Sequence, residues 1–311
     1  MNDIPAIKAS GLSRSFGKVR ALDGLNLEIR RGELYGLVGP DGAGKTTAMR
    51  LLTAVLSPSA GEAWIAGDSV LTAPESVKEK IGYMSQRFGL YEDLTVIENI
   101  DFYADLYEVP RGERPARIER LLGFSNLTPF RKRLAGNLSG GMKQKLGLAC
   151  ALVHTPEVLF LDEPTNGVDP VSRRDFWKIL YDMLRAKITV FLSTSYLDEA
   201  ERCTRIGLIN NGRLLAEDSP VNVRRSLGID MVELWPDDVR RAGEILGAGK
   251  DIMILNVYGD RIHLGFGKSA PPGAVAAALG LLESAGVRLK ARREILPSLE
   301  DVFIAMVGSD A

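Results

Sequence analysis

The stretch Gly39-Pro40-Asp41-Gly42-Ala43-Gly44-Lys45-Thr46-Thr47 fits G-x-x-x-x-G-K-[ST] and constrains this chain more than any other segment. The pattern is informative only between a strand and a helix, and both flanks comply. Glu33-Leu34-Tyr35-Gly36-Leu37-Val38 reads as a short buried strand. Lys45 to Val55 reads as a helix, with Met49, Leu51, Leu52 and Val55 apolar at helical spacing. Gly39, Gly42 and Gly44 let the backbone curl until several N–H groups point inward as an anion nest. The helix N-terminus adds its partial positive charge beneath that nest. Such a loop holds nucleotide phosphates, with Lys45 reaching the β- and γ-phosphates and the Thr46 hydroxyl taking a place on Mg²⁺.

A second signal supports the first. Val158-Leu159-Phe160-Leu161-Asp162-Glu163 is an apolar run that ends in two acids. That is the form of a buried parallel strand delivering carboxylates to its C-terminal edge. In phosphate-loop enzymes the first acid assists Mg²⁺ and the second orients or deprotonates the attacking water. The strand Lys80–Gln86 ends in an amide. Leu138-Ser139-Gly140-Gly141-Met142 opens a helix to about Leu152, with Ser139 as its N-cap. Taken alone, Ser-Gly-Gly is more often a simple loop. Phe16 is either core or a ring able to stack on a flat base, and its position alone favours core.

Composition narrows the remaining classes. A net charge of −1 gives no basic footprint, so nucleic acid is not an expected partner. Cys150 and Cys203 fit no metal or redox spacing and read as reduced thiols, and His154 and His263 are too few for a histidine metal site. Met1 to Pro5 lacks the basic and apolar regions of a signal peptide, and no apolar run reaches the ~18 residues of a membrane span.

The strand and helix signals alternate as in an α/β domain. Thr95–Tyr107, a short helix around Ile118–Leu122 and the helix after Ser139 form a helical insert over about 87–150. Val171–Leu184 is an amphipathic helix, Ile188–Leu192 a strand, Leu197–Arg202 a short helix, and Arg205–Asp218 a hairpin about Asn211-Gly212. From about 230 the order becomes β-α-β-β-α-β: Met231–Trp235, Asp237–Leu246, Asp251–Val257, Arg261–Phe266, Gly273–Ala285 and Val287–Ile295, then a last helix Ser298–Met306. That is a split-βαβ, ferredoxin-like unit.

With the phosphate loop, Leu138–Leu146 and Leu161-Asp162-Glu163-Pro164 in place, residues 6–225 resemble the ATP-binding cassette of ABC transporters. Ser195-Tyr196-Leu197-Asp198-Glu199-Ala200-Glu201 and the tail Pro297–Phe303 resemble the ABC-2 exporter branch. The resemblance implies a P-loop NTPase nucleotide-binding domain over 1–225 with its helical subdomain, and a small C-terminal α+β domain over 226–311. It implies that Phe16 stacks on adenine, that Gly39 to Thr47 cradle the phosphates, and that Gln86 senses Mg²⁺ and the coupling interface. Ser139, Gly140 and Gly141 would cap the γ-phosphate of ATP held by a second cassette. Asp162 would support Mg²⁺ with Thr46 and Gln86, Glu163 would polarise the water, and Asp169 would close a loop that crosses the dimer interface. ATP and Mg²⁺ are the implied cofactors. The implied partners are a second cassette, identical or different, and an ABC-2-type permease. The implied place is the cytoplasmic face of the plasma membrane.

One position departs from the family pattern. Ser195 stands where the switch histidine is expected. An imidazole reaches both the γ-phosphate and the catalytic carboxylate and can carry charge, whereas a serine hydroxyl is shorter and neutral. By analogy with a lost oxyanion donor, turnover at this site falls by ~10²–10³. The expectation is therefore an ATPase, attenuated unless Ser195 suffices through water, or a regulatory subunit that completes a partner's site.

Overall fold

In the computed structural model, residues 4–86, 89–249, 252–267 and 270–309 are described. Met1 to Asp3, residue 87 and Asp251, at which the sequence reading drew boundaries, lie outside them. The chain divides into two compact units, 1–215 and 216–311.

The first unit opens with two long antiparallel strands, β1 (Ile7–Phe16) and β2 (Val19–Ile29). Register shifts between Ala9 and Ser15 break the alternation along β1. β3 (Leu34–Val38) leads into the phosphate loop and helix α1 (Lys45–Leu52). The helix stops short of Val55, with Ala54 in the left-handed region at φ +55°. β4 (Ala60–Ile65) and β5 (Asp68–Ser69) complete a sheet of order β2-β1-β4-β5. Helix α2 (Pro74–Lys80), which buries only Val77 and has no readable stripe, precedes β6 (Ile81–Met84).

The helical segment follows: α3 (Val96–Leu106), α4 (Arg114–Phe124) and α5 (Gly140–Ala151). A capping box sets the start of α3. Thr95 Oγ1 accepts from Glu98 N at 3.3 Å, and Glu98 Oε2 accepts from Thr95 N at 2.8 Å. Then come β7 (Val158–Asp162), α6 (Pro170–Arg185), β8 (Thr189–Thr194), the single turn α7 (Leu197–Ala200), β9 (Arg205–Asn210) and β10 (Arg213–Asp218). Asn211 and Gly212 turn the last hairpin at φ +47° and +77°. The central sheet has the order β10-β9-β3-β8-β7-β6, and the neighbours from β9 to β6 run parallel. β3, β7 and β8 are buried along their whole length, which explains their unbroken apolar runs. The core gathers around α1, where Ala48, Met49, Leu51 and Leu52 pack with Ile7, Ala63, Phe160 and Phe191.

The second unit holds α8 (Pro220–Ser226), β11 (Asp230–Pro236), α9 (Val239–Gly247), β12 (Ile252–Tyr258), β13 (Arg261–Phe266), α10 (Ala274–Ser284), β14 (Leu289–Ile295) and α11 (Leu299–Ser309). Its sheet order, β12-β13-β11-β14, is antiparallel throughout, which is the ferredoxin-like arrangement. One face packs Val232, Leu234, Ile262 and Leu264 against Ala242 and Leu246 of α9 and Ala278 and Leu282 of α10.

Candidate nucleotide site

Parallel register decides what meets at the carboxyl edge of the central sheet. β3 ends at the phosphate loop, β6 runs out towards Gln86, β7 ends at Asp162, and β8 ends at Thr194. Asp162 lies directly opposite Ser193. A cleft of about 380 Å³ opens there, lined by Asp41, Gly42, Ala43, Gly44, Lys45, Thr46, Thr47, Gln86, Glu163, Asn166 and Ala21. This is the crevice outside the strand ends where open α/β sheets bind ligands.

The loop is wedged between backbones. A Cβ on Gly39 would lie 2.2 Å from Ile209 O, and one on Gly44 (φ +107°) 2.5 Å from Ala21 O. Gly212 N donates to Ala43 O at 2.9 Å, so the tip of the β9–β10 hairpin holds the loop. Glycine at 39 and 44 is thus required by close approach as well as by curvature.

Lys45 is 4% exposed. Its Nζ donates to Gly39 O at 2.7 Å and Pro40 O at 3.0 Å, and lies 3.0 Å from Glu163 Oε1. The other carboxylate oxygen, Glu163 Oε2, accepts from Gln86 Nε2 and Asn166 Nδ2, both at 3.3 Å. Glu163 has a left-handed backbone at φ +48°, and its N–H donates to Ser193 Oγ at 3.0 Å. A non-glycine residue in that region stores strain that recurs at functional sites.

Asp162 is buried. Its Oδ1 accepts from Ser193 Oγ at 2.6 Å and Thr46 Oγ1 at 3.2 Å. Its Oδ2 is buried and takes no hydrogen bond from any described residue. A buried carboxylate oxygen left open beside a hydroxyl fits a hard cation that prefers oxygen ligands, so the residues present fit Mg²⁺.

The remaining predicted residues do not line the cleft. Phe16 is 48% exposed, which overturns the position-based preference for core. The Arg14 guanidinium lies 4.8 Å from its ring centroid. Ser139 caps α5 by accepting from Met142 N at 3.3 Å. A Cβ on Gly141 would lie 2.4 Å from the Ser172 side chain, so this glycine lets α5 approach α6, while Gly140 faces open space. Asp169 caps α6 through Val171 N and Ser172 N, and its bonds with Ser172 hold its carboxyl below the usual range. Ser195 is exposed and makes no side-chain hydrogen bond among the described residues.

Sequence reasoning placed Asn166 only in the loop closed by Asp169 and gave Ser193 no role. Asn166 sits on Glu163, and Ser193 orders both acids. Each was readable only as a neighbour of a motif. Both cysteines are buried, and burial pushes the Cys203 thiol up to about 12. Among the described residues no helix is long and apolar enough to cross a membrane.

The family model described as ABC transporter matches residues 22–166. The chain is 41% identical over 314 residues to the probable multidrug ABC transporter ATP-binding protein YbhF of Escherichia coli (strain K12), covering 99% of this chain and 53% of that protein. It therefore spans about half the length of that relative. It is 35% identical over 324 residues to the daunorubicin/doxorubicin resistance ATP-binding protein DrrA of Streptomyces peucetius, covering all of this chain and 96% of that protein. A solved ATP-binding subunit of an ABC transporter superposes with a TM-score of 0.66 at 28% identity, over 72% of this chain and 93% of its own. The dimeric ATP-binding cassette MJ0796, in a post-hydrolysis state with ADP and Pi, gives 0.63 at 25% identity, over 68% and 98%. Loop, acid pair, fold and relatives agree, and the chain belongs to the family of ABC transporter ATP-binding proteins.

Proposed function

We propose that this chain binds and hydrolyses ATP to drive an ABC-2-type exporter whose membrane permease is a separate part. The observation that carries the reading is one cleft lined by Lys45, Thr46 and Glu163, with Asp162 bonded to Thr46. Gly39 to Thr47 receive the phosphates, with Phe16 stacking on the base. Thr46, Asp162 and Gln86 hold Mg²⁺, which when bound neutralises charge on the phosphate oxygens. Glu163 polarises the attacking water.

Two cassettes close head to tail in this reading. Ser139, Gly140 and Gly141 of one cap the γ-phosphate on the other, and Asp169 lies at the junction. The open space at Gly140 supports this, because nothing among the described residues requires glycine there. Gln86 and the helical segment pass the motion to the permease at the cytoplasmic face of the membrane. The likeness to YbhF, a probable multidrug ABC transporter ATP-binding protein, and to DrrA, a daunorubicin/doxorubicin resistance ATP-binding protein, suggests a drug-like small molecule as cargo.

The exposed, unbonded Ser195 favours a second reading, a weakly hydrolysing regulatory subunit. Steady-state Mg-ATPase of wild type beside Ser195→His, with Lys45→Ala as blank, separates the two. Wild-type turnover well above blank supports the enzyme. Activity appearing only in Ser195→His supports the regulatory subunit, and activity in neither sinks the hydrolytic reading.

A further inference from the structure

We propose that Tyr196 and Asn166 form a two-step relay that positions Glu163, so that the loop after β8 acts on the water-polarising carboxylate through Tyr196 and not through Ser195. The inference rests on the ATPase reading above. Tyr196 Oη donates to Asn166 Oδ1 at 3.3 Å. Asn166 Nδ2 donates to Glu163 Oε2 at 3.3 Å. The polarity runs one way: accepting at Oδ1 fixes the amide so that its N–H₂ faces the carboxylate.

Residues beside both Tyr196 and Asn166 are held by Glu199, which is 1% exposed. Glu199 accepts from Thr194 Oγ1 at 2.9 Å, from Trp177 Nε1 at 3.4 Å, and from Thr165 Oγ1, whose residue precedes Asn166. The Thr194 hydroxyl also accepts from Tyr196 N at 3.0 Å. Arg173 lies 3.7 Å from Glu199 and places its guanidinium 4.5 Å from the centre of the Tyr196 ring. One buried carboxylate therefore locates the loop that carries Tyr196 and the loop that carries Asn166. The relay changes no protonation. It restricts the rotamer of Glu163 to the one that faces the cleft.

Tyr196→Phe removes one hydroxyl and keeps the ring on Arg173. In the full chain, kcat should fall about three- to tenfold, while KM and the affinity for a fluorescent ATP analogue stay within about twofold. Asn166→Ala should show a similar fall, and the double variant should be no slower than Asn166→Ala. Placed on Glu163→Gln, Tyr196→Phe should change the residual single-turnover rate not at all. An unchanged kcat in Tyr196→Phe overturns the relay while leaving the ATPase reading intact. So does an equal further loss on the Glu163→Gln background, or a kcat loss that tracks a lowered Tm. Wild type no faster than Lys45→Ala overturns the ATPase reading and the relay with it.

Discussion

Lys45 Nζ and Glu163 Oε1 are 3.0 Å apart, with the two side chains 4% and 9% exposed. The lysine that is to hold phosphate is thus engaged by the carboxylate that is to polarise water. On the proposed reading, entry of a phosphate draws Lys45 off Glu163 and frees that carboxylate. The proposed function thus couples binding and activation in a single ion pair.

Glu163→Gln weakens that competition by removing the charge. Nucleotide affinity should stay equal or rise, while kcat falls by roughly 10²–10⁴-fold. Equilibrium titration beside steady-state hydrolysis checks it, and a loss of affinity would show that Glu163 helps to bind nucleotide.

Asp162→Asn should separate the metal from the nucleotide. The open Oδ2 sits beside Thr46 and Ser193 hydroxyls that already donate to Oδ1. Affinity for ADP in EDTA should be unchanged, and the gain in affinity on adding Mg²⁺ should vanish. A retained gain would place the cation elsewhere.

Gly140 and Gly141 are adjacent and should respond oppositely. Gly141→Ala drives a methyl into Ser172, which costs about 1–3 kcal/mol, or roughly 2–4 °C in Tm per kcal/mol. Gly140→Ala meets nothing and should leave Tm unchanged, yet weaken ATP-driven dimerisation seen by size-exclusion chromatography. Equal melting losses would refute the distinction.

In the second unit, burial alone would push the Glu233 carboxyl up. Hydrogen bonds from Arg293, Arg261 and His263 outweigh it and hold the carboxyl below its usual range. A lowered folded value means that the stabilisation is fully present above the ordinary carboxylate pKa of ~4.3, and is lost as pH falls through the lowered value. Urea unfolding followed from pH 7 to pH 3 should show this acid slope, and Glu233→Gln should flatten it.

Much of this was legible in the chain. The strand–loop–helix around Lys45, the acids closing β7 and the β-α-β-β-α-β order are written in periodicity and turn chemistry, which are local. α2 and α8 were not visible, since a seven-residue helix that buries one or two side chains leaves no stripe. Phe16 was misjudged from position because an aromatic residue at a strand end carries no sign of which way it faces. Gly141 read as part of an anion loop, and its second duty towards Ser172 depends on a helix thirty residues on. Tyr196 and Asn166 meet only because β7 and β8 pair in register, which no local pattern states.

The hydrogen bond from Gly212 to Ala43 makes the phosphate cradle a bracket fastened from outside its own motif. A turn far along the chain thereby holds the backbone of the loop. The Asn211-Gly212 turn is accordingly part of the nucleotide site, although no atom of it needs to touch the nucleotide. Lengthening that turn would detune ATP affinity by remote control, with every residue of the 39–47 loop intact.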